Sequence, residues 1–173
     1  MPTTDLSIRR YRPADRERVL ELHEAALRDA DAYAEGVPEP DLDDVEAHYL
    51  DSSREFLVGL ADDRIVAMGA FRPVEDRVAE AFDSLRRPAA ELKRMRVAPS
   101  HQRQGFGQQV YAELERRARA AGFDELVLDV QAHQEGARRF YERRGFEVER
   151  RVEIEAFGET LDTVFYRKPL DER

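Results

Sequence analysis

The last third of the chain has the clearest alternation of apolar and charged positions. From Phe146 to Ala156 the even positions are apolar and the odd positions are charged, with Arg150 as the exception. A period of two predicts a long β-strand with one buried face. Gly158 then predicts a turn, and the segment 161–170 predicts a returning strand. We therefore expect the chain to close on an antiparallel hairpin.

The middle of the chain alternates between strand-like and helix-like patterns. Two apolar runs on either side of residues 61–64 predict a hairpin within residues 54–74. The next elements are a strand over Glu91–Val97, a helix over Gly107–Ala121, a strand over Asp124–Val130 and a helix within residues 134–145. Strands that alternate with helices favour a parallel pair in the middle of the sheet.

The N-terminal part predicts a short strand over Leu6–Pro13 and a helix that begins after Asp15. A loop follows, and a brief helix through Tyr49 is expected to be capped by Asp41 or Asp43. Residues 75–90 have no clear period beyond a possible turn or two of helix, and we leave this insert unassigned.

Together these elements predict an α/β fold of the mixed α+β type. We expect one mixed, mostly antiparallel sheet of six to seven strands with a central parallel pair and helices on both faces. The length of 173 residues suits a single domain over residues 1–173. The chain contains no run of about 18 apolar residues and no signal-peptide pattern at its N-terminus, so a cytoplasmic location is expected.

Composition narrows the chemistry. The chain contains no cysteine, which excludes disulfides, thiolate metal sites and a cysteine nucleophile. Its four histidines show no ligand spacing, so no metal is expected. The net charge of −9 argues against nucleic acid or an anionic membrane as the main partner, because both require a basic face.

The basic residues are almost all arginine: 26 arginines accompany two lysines and 37 acidic residues. An acidic surface with little lysine is compatible with a halophile, because molar salt shortens the Debye length to about 3 Å and screens self-repulsion. A GC-rich genome that favours arginine codons explains the same composition. Both explanations stay open.

The stretch between Leu92 and Ala112 has a positive net charge although the chain as a whole is acidic, since it contains four basic residues and no acidic one. Within it, Gly105 and Gly107 stand at the start of a predicted helix, where unpaired amides and the helix dipole favour an anion. A plain turn would also use such glycines. Val110 occupies the place of the third glycine of a Rossmann motif, and no Walker motif is present.

Four segments in order resemble the GCN5-related N-acetyltransferase (GNAT) superfamily. They are the strand ELKRMRV (91–97), the Q-x-x-G-x-G motif at Gln102–Gly107, the strand LVLDV (126–130) and the segment QEGARRFYERRGF (134–146). The resemblance covers residues 54–168, and the N-terminal elements agree with it in their order. It implies the acyl-CoA N-acyltransferase fold, in which the central parallel pair splays around the cofactor.

The resemblance also implies an acetyl-CoA site. The pantetheine arm would pair with backbone groups of Met95, Arg96 and Val97, and the pyrophosphate would lie on the loop and the first turn of the following helix. Gln134 stands where the family often has asparagine, which puts that one contact in doubt. The implied loop and helix residues are Gln102, Arg103, Gln104, Gly105, Phe106, Gly107 and Gln108.

Two residues are candidates for proton transfer. Tyr141 matches the family's tyrosine near the thioester sulfur, and a phenol with an ordinary pKa of about 10 is suited to protonate a leaving thiolate. The alternative role of Tyr141 is that of an aromatic side chain that packs in the core beside Phe140. Glu91 is a candidate base on the acceptor side, and its alternative is a solvated carboxylate at the start of a strand. With no cysteine available, direct transfer in a ternary complex is favoured over an acyl-enzyme.

The implied function is transfer of an acetyl group from acetyl-CoA to an amine, an acyltransferase reaction. The alternative is an inactive member of the same fold that binds acyl-CoA as a sensor or pairs with another protein. The loops 32–40 and 75–90 are acidic, which suits a small cationic amine or a peptide N-terminus, although the whole chain is acidic. The long late strand is compatible with a homodimer.

Overall fold

The structure is a computed structural model that describes residues 5–156 and 158–170. The strands are β1 (Ser7–Arg10), β2 (Glu55–Ala61), β3 (Arg64–Pro73), β4 (Ala89–Val97), β5 (Glu125–Gln131), β6 (Glu147–Ala156) and β7 (Glu159–Pro169). The helices are α1 (Arg16–Asp29), α2 (Pro40–Asp43), α3 (Val45–Tyr49), α4 (Asp76–Ala79), α5 (Phe106–Ala120) and α6 (Glu135–Glu142). Short 3₁₀ turns cover Pro13–Asp15 and Pro99–His101.

Within the described residues, the strands form one mixed seven-stranded sheet in the order β1-β2-β3-β4-β5-β7-β6. Strands β4 and β5 are parallel, with Ala89–Glu91 opposite Glu125–Val127, and β4 continues to Val97 beyond this register. The hairpins β2–β3 and β6–β7 are antiparallel. The predicted fold class, with its parallel pair and its closing hairpin, is confirmed.

The prediction of a buried face along the late strand is wrong in detail. Strand β6 lies at the edge of the sheet, and the side chains of Val152 and Ile154 are only partly buried. Val148 is 49% exposed, because the register with β7 shifts between Val148 and Arg150. A β-bulge adds one residue to one strand and turns the side chains on its two sides to different faces. The irregularity at Arg150 in the sequence pattern marks this bulge.

The predicted cap of the short helix is also wrong. Helix α3 is capped by Asp44, whose carboxylate accepts a hydrogen bond from the amide of Ala47. Asp41 lies instead in the brief helix α2 and is buried. A run of acidic residues contains several equivalent cap candidates, so the local sequence alone could not choose among them.

The chain divides into two compact units, and β4 passes from one to the other. The first unit comprises the residues up to Arg72 together with Leu92–Ala118, and the second comprises Pro73–Glu91 and the residues from Arg119 onward. The single domain over residues 1–173 stays a prediction. None of the described helices combines the length and apolar character that a membrane-spanning helix needs.

In the first unit, helices cover both faces of the sheet. A Cβ at Gly69 would point at Val110 and Leu114 of α5, so α5 packs on that face of β3. Phe56 and Gly69 lie on opposite faces, because Phe56 pairs with the next residue along β3, Ala70. Phe56 packs edge-on against Tyr49 at the end of α3, with ring centroids 5.5 Å apart.

In the second unit, the insert that the sequence left unassigned covers part of the sheet. Its short helix α4 and the following residues place Val78 and Phe82 in an apolar cluster with Val127 and Phe165. The rings of Phe82 and Phe165 meet edge-on at 5.8 Å. The carboxylate of Glu125 also accepts a hydrogen bond from the amide of Arg86 at 2.8 Å. The insert is therefore an anchored part of this unit.

Candidate functional site

The loop between β4 and α5 is anchored at its start and exposed along its length. The amide of Ala98 donates to the carbonyl of Val66 at 2.8 Å, and the side-chain amide of Gln102 donates to the carbonyl of Val97 at 3.2 Å. Residues Gln102–Gly105 are exposed. The first motif glutamine thus holds the loop to the end of the strand that precedes it.

Two residues of this loop have a left-handed backbone conformation. Arg103 has φ +62° and Gly105 has φ +84°, with an ordinary residue between them. Such alternation turns successive amides toward one side and forms a nest, a concavity that binds anions. A Cβ at Gly105 would have no other described atom within 4 Å, so glycine is required here for the backbone conformation rather than for space.

Helix α5 continues the loop with unpaired amides. The amide of Gln109 donates to the carbonyl of Gly105, so the amides of Phe106, Gly107 and Gln108 lie before the first hydrogen bond of the helix. The side chain of Phe106 is buried and stacks on His101, which keeps it away from these amides. No acidic residue occurs in the first turn, so the geometry and the charge fit an anionic group such as a pyrophosphate.

Strand β4 leads into this loop and has an unusual backbone at Arg94. Its φ is +59°, in the left-handed region that costs an L-residue about 1–2 kcal/mol. Beyond it, the guanidinium of Arg96 donates to the carbonyl of Met95 at 2.9 Å. The predicted pantetheine segment, Met95–Val97, therefore follows directly after a distorted residue.

The side chain of Arg94 is held by two carboxylates. Its guanidinium donates to both oxygens of Asp41, at 2.6 and 2.8 Å, and to Glu39 at 3.1 Å. Asp41 also accepts a hydrogen bond from the hydroxyl of Tyr49 at 2.5 Å. Burial alone would raise the pKa of Asp41, but the hydrogen bonds and charge of Arg94 and the bond from Tyr49 hold this pKa well below its ordinary range.

His23 of α1 extends the same cluster. Its Nε2 lies 2.8 Å from Oε1 of Glu39, and the imidazole is almost fully buried. Burial, followed by the positive charge of Arg96, lowers the pKa of His23 from its ordinary value, while the bond to Glu39 opposes this shift. The histidine is therefore neutral at pH 7 in the folded protein.

The second unit holds the other predicted residues, Glu91, Gln134 and Tyr141. Tyr141 lies on α6 and is buried, with its ring edge-on to Phe140 at 5.2 Å and to Phe146 at 5.5 Å. These contacts fix the orientation of the ring. Gln134 immediately precedes α6, and its side chain makes no capping hydrogen bond in the described structure.

Glu91 differs from its expected setting. The strand begins at Ala89 rather than at Glu91, so the carboxylate is the third residue of β4 and only 2% exposed. The interpretation of Glu91 as a solvated carboxylate at the start of a strand is therefore wrong. A buried carboxylate in a strand requires specific partners, which is compatible with a chemical function.

The structure brings together, within the first unit, the predicted cofactor residues of β4, the loop and α5. The local sequence did not predict the cluster of Arg94, Asp41, Glu39, Tyr49 and His23. The only local signal was a basic residue in the acid-free stretch between Leu92 and Ala112. The same cluster weakens the expected attraction of the loop 32–40 for a cationic amine, because Glu39 is already engaged by Arg94 and His23. Among the residues that the structure describes, no group of three or more side chains is arranged to hold a metal ion.

Known proteins resemble this chain in sequence and in fold. The model of the acetyltransferase (GNAT) family matches residues 17–146. The structure of yncA from Salmonella typhimurium, solved with its cofactor acetyl-CoA, is 25% identical, covers 98% of this chain and 96% of that chain, and gives a TM-score of 0.76. No match was found among the curated proteins.

Two further structures share the fold at lower identity. An acetyltransferase of the GNAT family from Staphylococcus aureus Mu50 is 19% identical, with a TM-score of 0.78 and coverage of 96% of this chain and 100% of that chain. The ribosomal-protein-alanine N-acetyltransferase of Brucella melitensis is 22% identical, with a TM-score of 0.74 and coverage of 95% and 99%. Because the family model spans most of the chain, this protein belongs to the GNAT family of acetyltransferases.

Proposed function

We propose that this protein transfers an acetyl group from acetyl-CoA directly to an amine in a ternary complex. The observation that carries the proposal is the positive φ of Arg103 and Gly105, which fits an anion nest, together with the amides at the start of α5 that precede the first hydrogen bond of the helix. The relative yncA, whose structure contains acetyl-CoA, supports the identity of the donor.

The donor site that we propose follows β4, the loop and α5. The amides of residues 103–108 would hold the pyrophosphate, and the exposed guanidinium of Arg103 would add a charge-assisted hydrogen bond. Backbone groups of Met95–Val97 would pair with the pantetheine arm. The parallel register supports this pairing, because it covers only Ala89–Glu91 of β4 and the strand continues for six residues past Glu91.

The chemistry that we propose forms the bond from the amine nitrogen to the acetyl carbon and breaks the carbon–sulfur bond. Backbone amides of β4 would stabilise the oxyanion that develops on the carbonyl. Tyr141 would donate its phenolic proton to the leaving thiolate, and Glu91 would accept the proton of the amine directly or through a water molecule. Without a cysteine in the chain, a cysteinyl acyl-enzyme is excluded.

The experiment has two readouts. Addition of coenzyme A should raise the melting temperature, because a ligand that binds only the folded state stabilises it. Incubation with acetyl-CoA and a panel of amines should then release free thiol. A thermal shift without thiol release for any amine would favour the alternative, an acyl-CoA-binding member without catalysis. Absence of both effects would contradict the proposed function.

A charge-removing variant tests the pyrophosphate site itself. Arg103→Gln should weaken binding of coenzyme A about tenfold, as expected for loss of one charge-assisted hydrogen bond of 1.5 kcal/mol or more. It should leave binding of pantetheine unchanged, because pantetheine lacks the pyrophosphate. Arg64→Gln, an exposed arginine at the start of β3, is the matched control and should leave both affinities unchanged. Equal losses for coenzyme A and pantetheine would argue against a pyrophosphate at Arg103.

A further inference from the structure

Arg94 combines a left-handed backbone with a buried, doubly held side chain. Its guanidinium is 13% exposed, and the carboxylate of its main partner, Asp41, is 7% exposed. A non-glycine residue stays in the left-handed region only where the surrounding structure determines it strongly. In β4 the backbone of Arg94 and the hydrogen bonds of its guanidinium are therefore parts of one arrangement.

The bidentate geometry makes this arrangement rigid. Two parallel N–H···O bonds hold the planar guanidinium to the plane of the Asp41 carboxylate, and a lysine could not reproduce them. The carboxylate is itself fixed from behind by the hydroxyl of Tyr49, whose ring is fully buried. Glu39 adds a third bond to Arg94 and is held in turn by His23.

The conformation of Arg94 affects the backbone of the two residues that follow it. A left-handed residue inside a strand interrupts the regular alternation of amide directions and turns the next peptide groups away from the ladder. The amides of Met95 and Arg96 are those peptide groups. Their directions therefore depend on whether Arg94 keeps its left-handed conformation.

We propose that Asp41 and Arg94 form a positioning pair that sets the directions of the Met95 and Arg96 amides toward the thioester carbonyl. This inference rests on the proposed function, in which amides of β4 stabilise the oxyanion. Neither side chain contacts the substrate in this proposal. The pair acts through the backbone, and its effect is on kcat rather than on the binding of acetyl-CoA.

Two double variants separate positioning from simple stabilisation. Arg94→Ala with Asp41→Asn and Arg94→Gly with Asp41→Asn both remove the ion pair without leaving a charge buried alone. Glycine adopts a positive φ freely, whereas alanine does not. We expect kcat to fall at least about tenfold in the alanine variant and less in the glycine variant, with KM for acetyl-CoA within about threefold of the original value.

The matched control removes another bidentate pair of the same unit. Arg9 binds both oxygens of the buried Asp15, at 2.7 and 2.9 Å, far from β4 in sequence. Arg9→Ala with Asp15→Asn should lower the melting temperature and leave kcat unchanged. All variants are assayed at a temperature at which circular dichroism shows each to be folded. A wild-type kcat in the alanine variant, or equal kcat values for alanine and glycine, would overturn the proposal.

A second measurement does not depend on activity. The NMR chemical shifts of the amides at Met95 and Arg96 should move further from those of the original protein in the alanine variant than in the glycine variant. Equal displacements in the two variants would overturn the positioning pair even if the protein proved not to be an acetyltransferase. If the alanine variant does not fold, Arg94→Lys replaces it: a lowered kcat with unchanged KM supports the pair, and a wild-type kcat contradicts it.

Discussion

The sulfur of Met95 occupies the space that a side chain at Gly69 would fill. A Cβ built at Gly69 overlaps this sulfur and comes within 2.7 Å of Leu114 Cδ1 and 3.2 Å of Val110 Cγ1. Strand β3 thus provides, by the absence of a side chain, the room in which β4 and α5 pack. Gly69 adjoins the strand that precedes the proposed donor site.

Gly69→Ala should lower the free energy of unfolding by about 1–3 kcal/mol, because overpacking forces the surrounding side chains to shift. Urea denaturation measures this change. The control is Gly136→Ala on α6, where a Cβ would have no other described atom within 4 Å. Alanine there should leave the stability equal or increase it by up to about 1 kcal/mol. Equal effects of the two substitutions would contradict the packing argument.

Tyr141→Phe should lower kcat about ten- to a hundredfold while leaving the affinity for acetyl-CoA nearly unchanged. Its ring contacts with Phe140 and Phe146 do not need the hydroxyl, so the fold should be retained. Steady-state kinetics with a reactive amine and calorimetry with coenzyme A measure the two quantities. An unaltered rate would remove Tyr141 from the mechanism.

Tyr166→Phe is the matched control for Tyr141. The hydroxyl of Tyr166 donates to Glu142 at 2.7 Å and accepts from Arg138 at 3.0 Å, and the ring is buried in the same unit. Loss of this hydroxyl should therefore lower the stability by about 1 kcal/mol and leave kcat unchanged.

The burial of His23 makes the protein sensitive to mild acid. Burial and the charge of Arg96 lower the pKa of His23 in the folded state below its ordinary value of 6.5. The unfolded chain therefore binds a proton at a higher pH than the folded protein does. The free energy of unfolding contributed by His23 is fully present above about pH 6.5 and decreases as the pH falls below it.

His23→Gln should accordingly flatten the decrease of the melting temperature between about pH 7.5 and pH 5.5. His133→Gln, at an exposed position after β5, should keep the decrease of the original protein. Carboxylates with depressed pKa values, such as Asp41, contribute equally in both variants and titrate at lower pH. Parallel curves for the two variants would show that His23 is not the source.

Burial rather than geometry should decide the strength of two bidentate ion pairs in the second unit. Arg167 binds Glu125 at 2.6 and 2.9 Å, and Arg151 binds Asp162 at 2.9 and 2.5 Å. The Glu125 carboxylate is 0% exposed and that of Asp162 is 44% exposed.

Glu125→Gln should cost about 1.5–3 kcal/mol in urea denaturation, because Arg167 loses charge-assisted hydrogen bonds to a fully buried carboxylate and keeps only Glu149 and two backbone carbonyls as partners. Asp162→Asn should cost less than about 1 kcal/mol, because solvent screens the exposed pair. Similar costs for the two substitutions would show that the environment of Glu125 is more polar than its burial indicates.

Local pattern was sufficient for most of the elements. The strand–turn–helix around Gly105, the hairpin at residues 61–64 and the closing hairpin at Gly158 depend on neighbours in the chain, so composition and period predicted them. The insert 75–90 was not predictable in this way. Its apolar side chains pack against residues that are distant in the sequence: Phe82 contacts Phe165, which lies more than 80 positions away.

The candidate site shows the same division. The prediction of an anion site at Gly105 and Gly107 rested on the local sequence alone, because glycine at a helix start has a local meaning. The burial of Glu91 was not predictable, because it depends on the start of β4, which lies two residues before the predicted start. Asp41 was one of two candidates for a helix cap on local grounds, but its carboxylate binds Arg94, which lies in another part of the chain.

By itself the sequence determined most of the strands and helices, because these follow from periodicity, and its short-range motifs carried the resemblance to the family and to the family's pyrophosphate loop. Only the tertiary structure decided the pairing of Asp41 with Arg94, 53 residues apart, and the left-handed backbone that accompanies it. An ion pair between distant residues becomes strong only when folding removes both groups from water and aligns them.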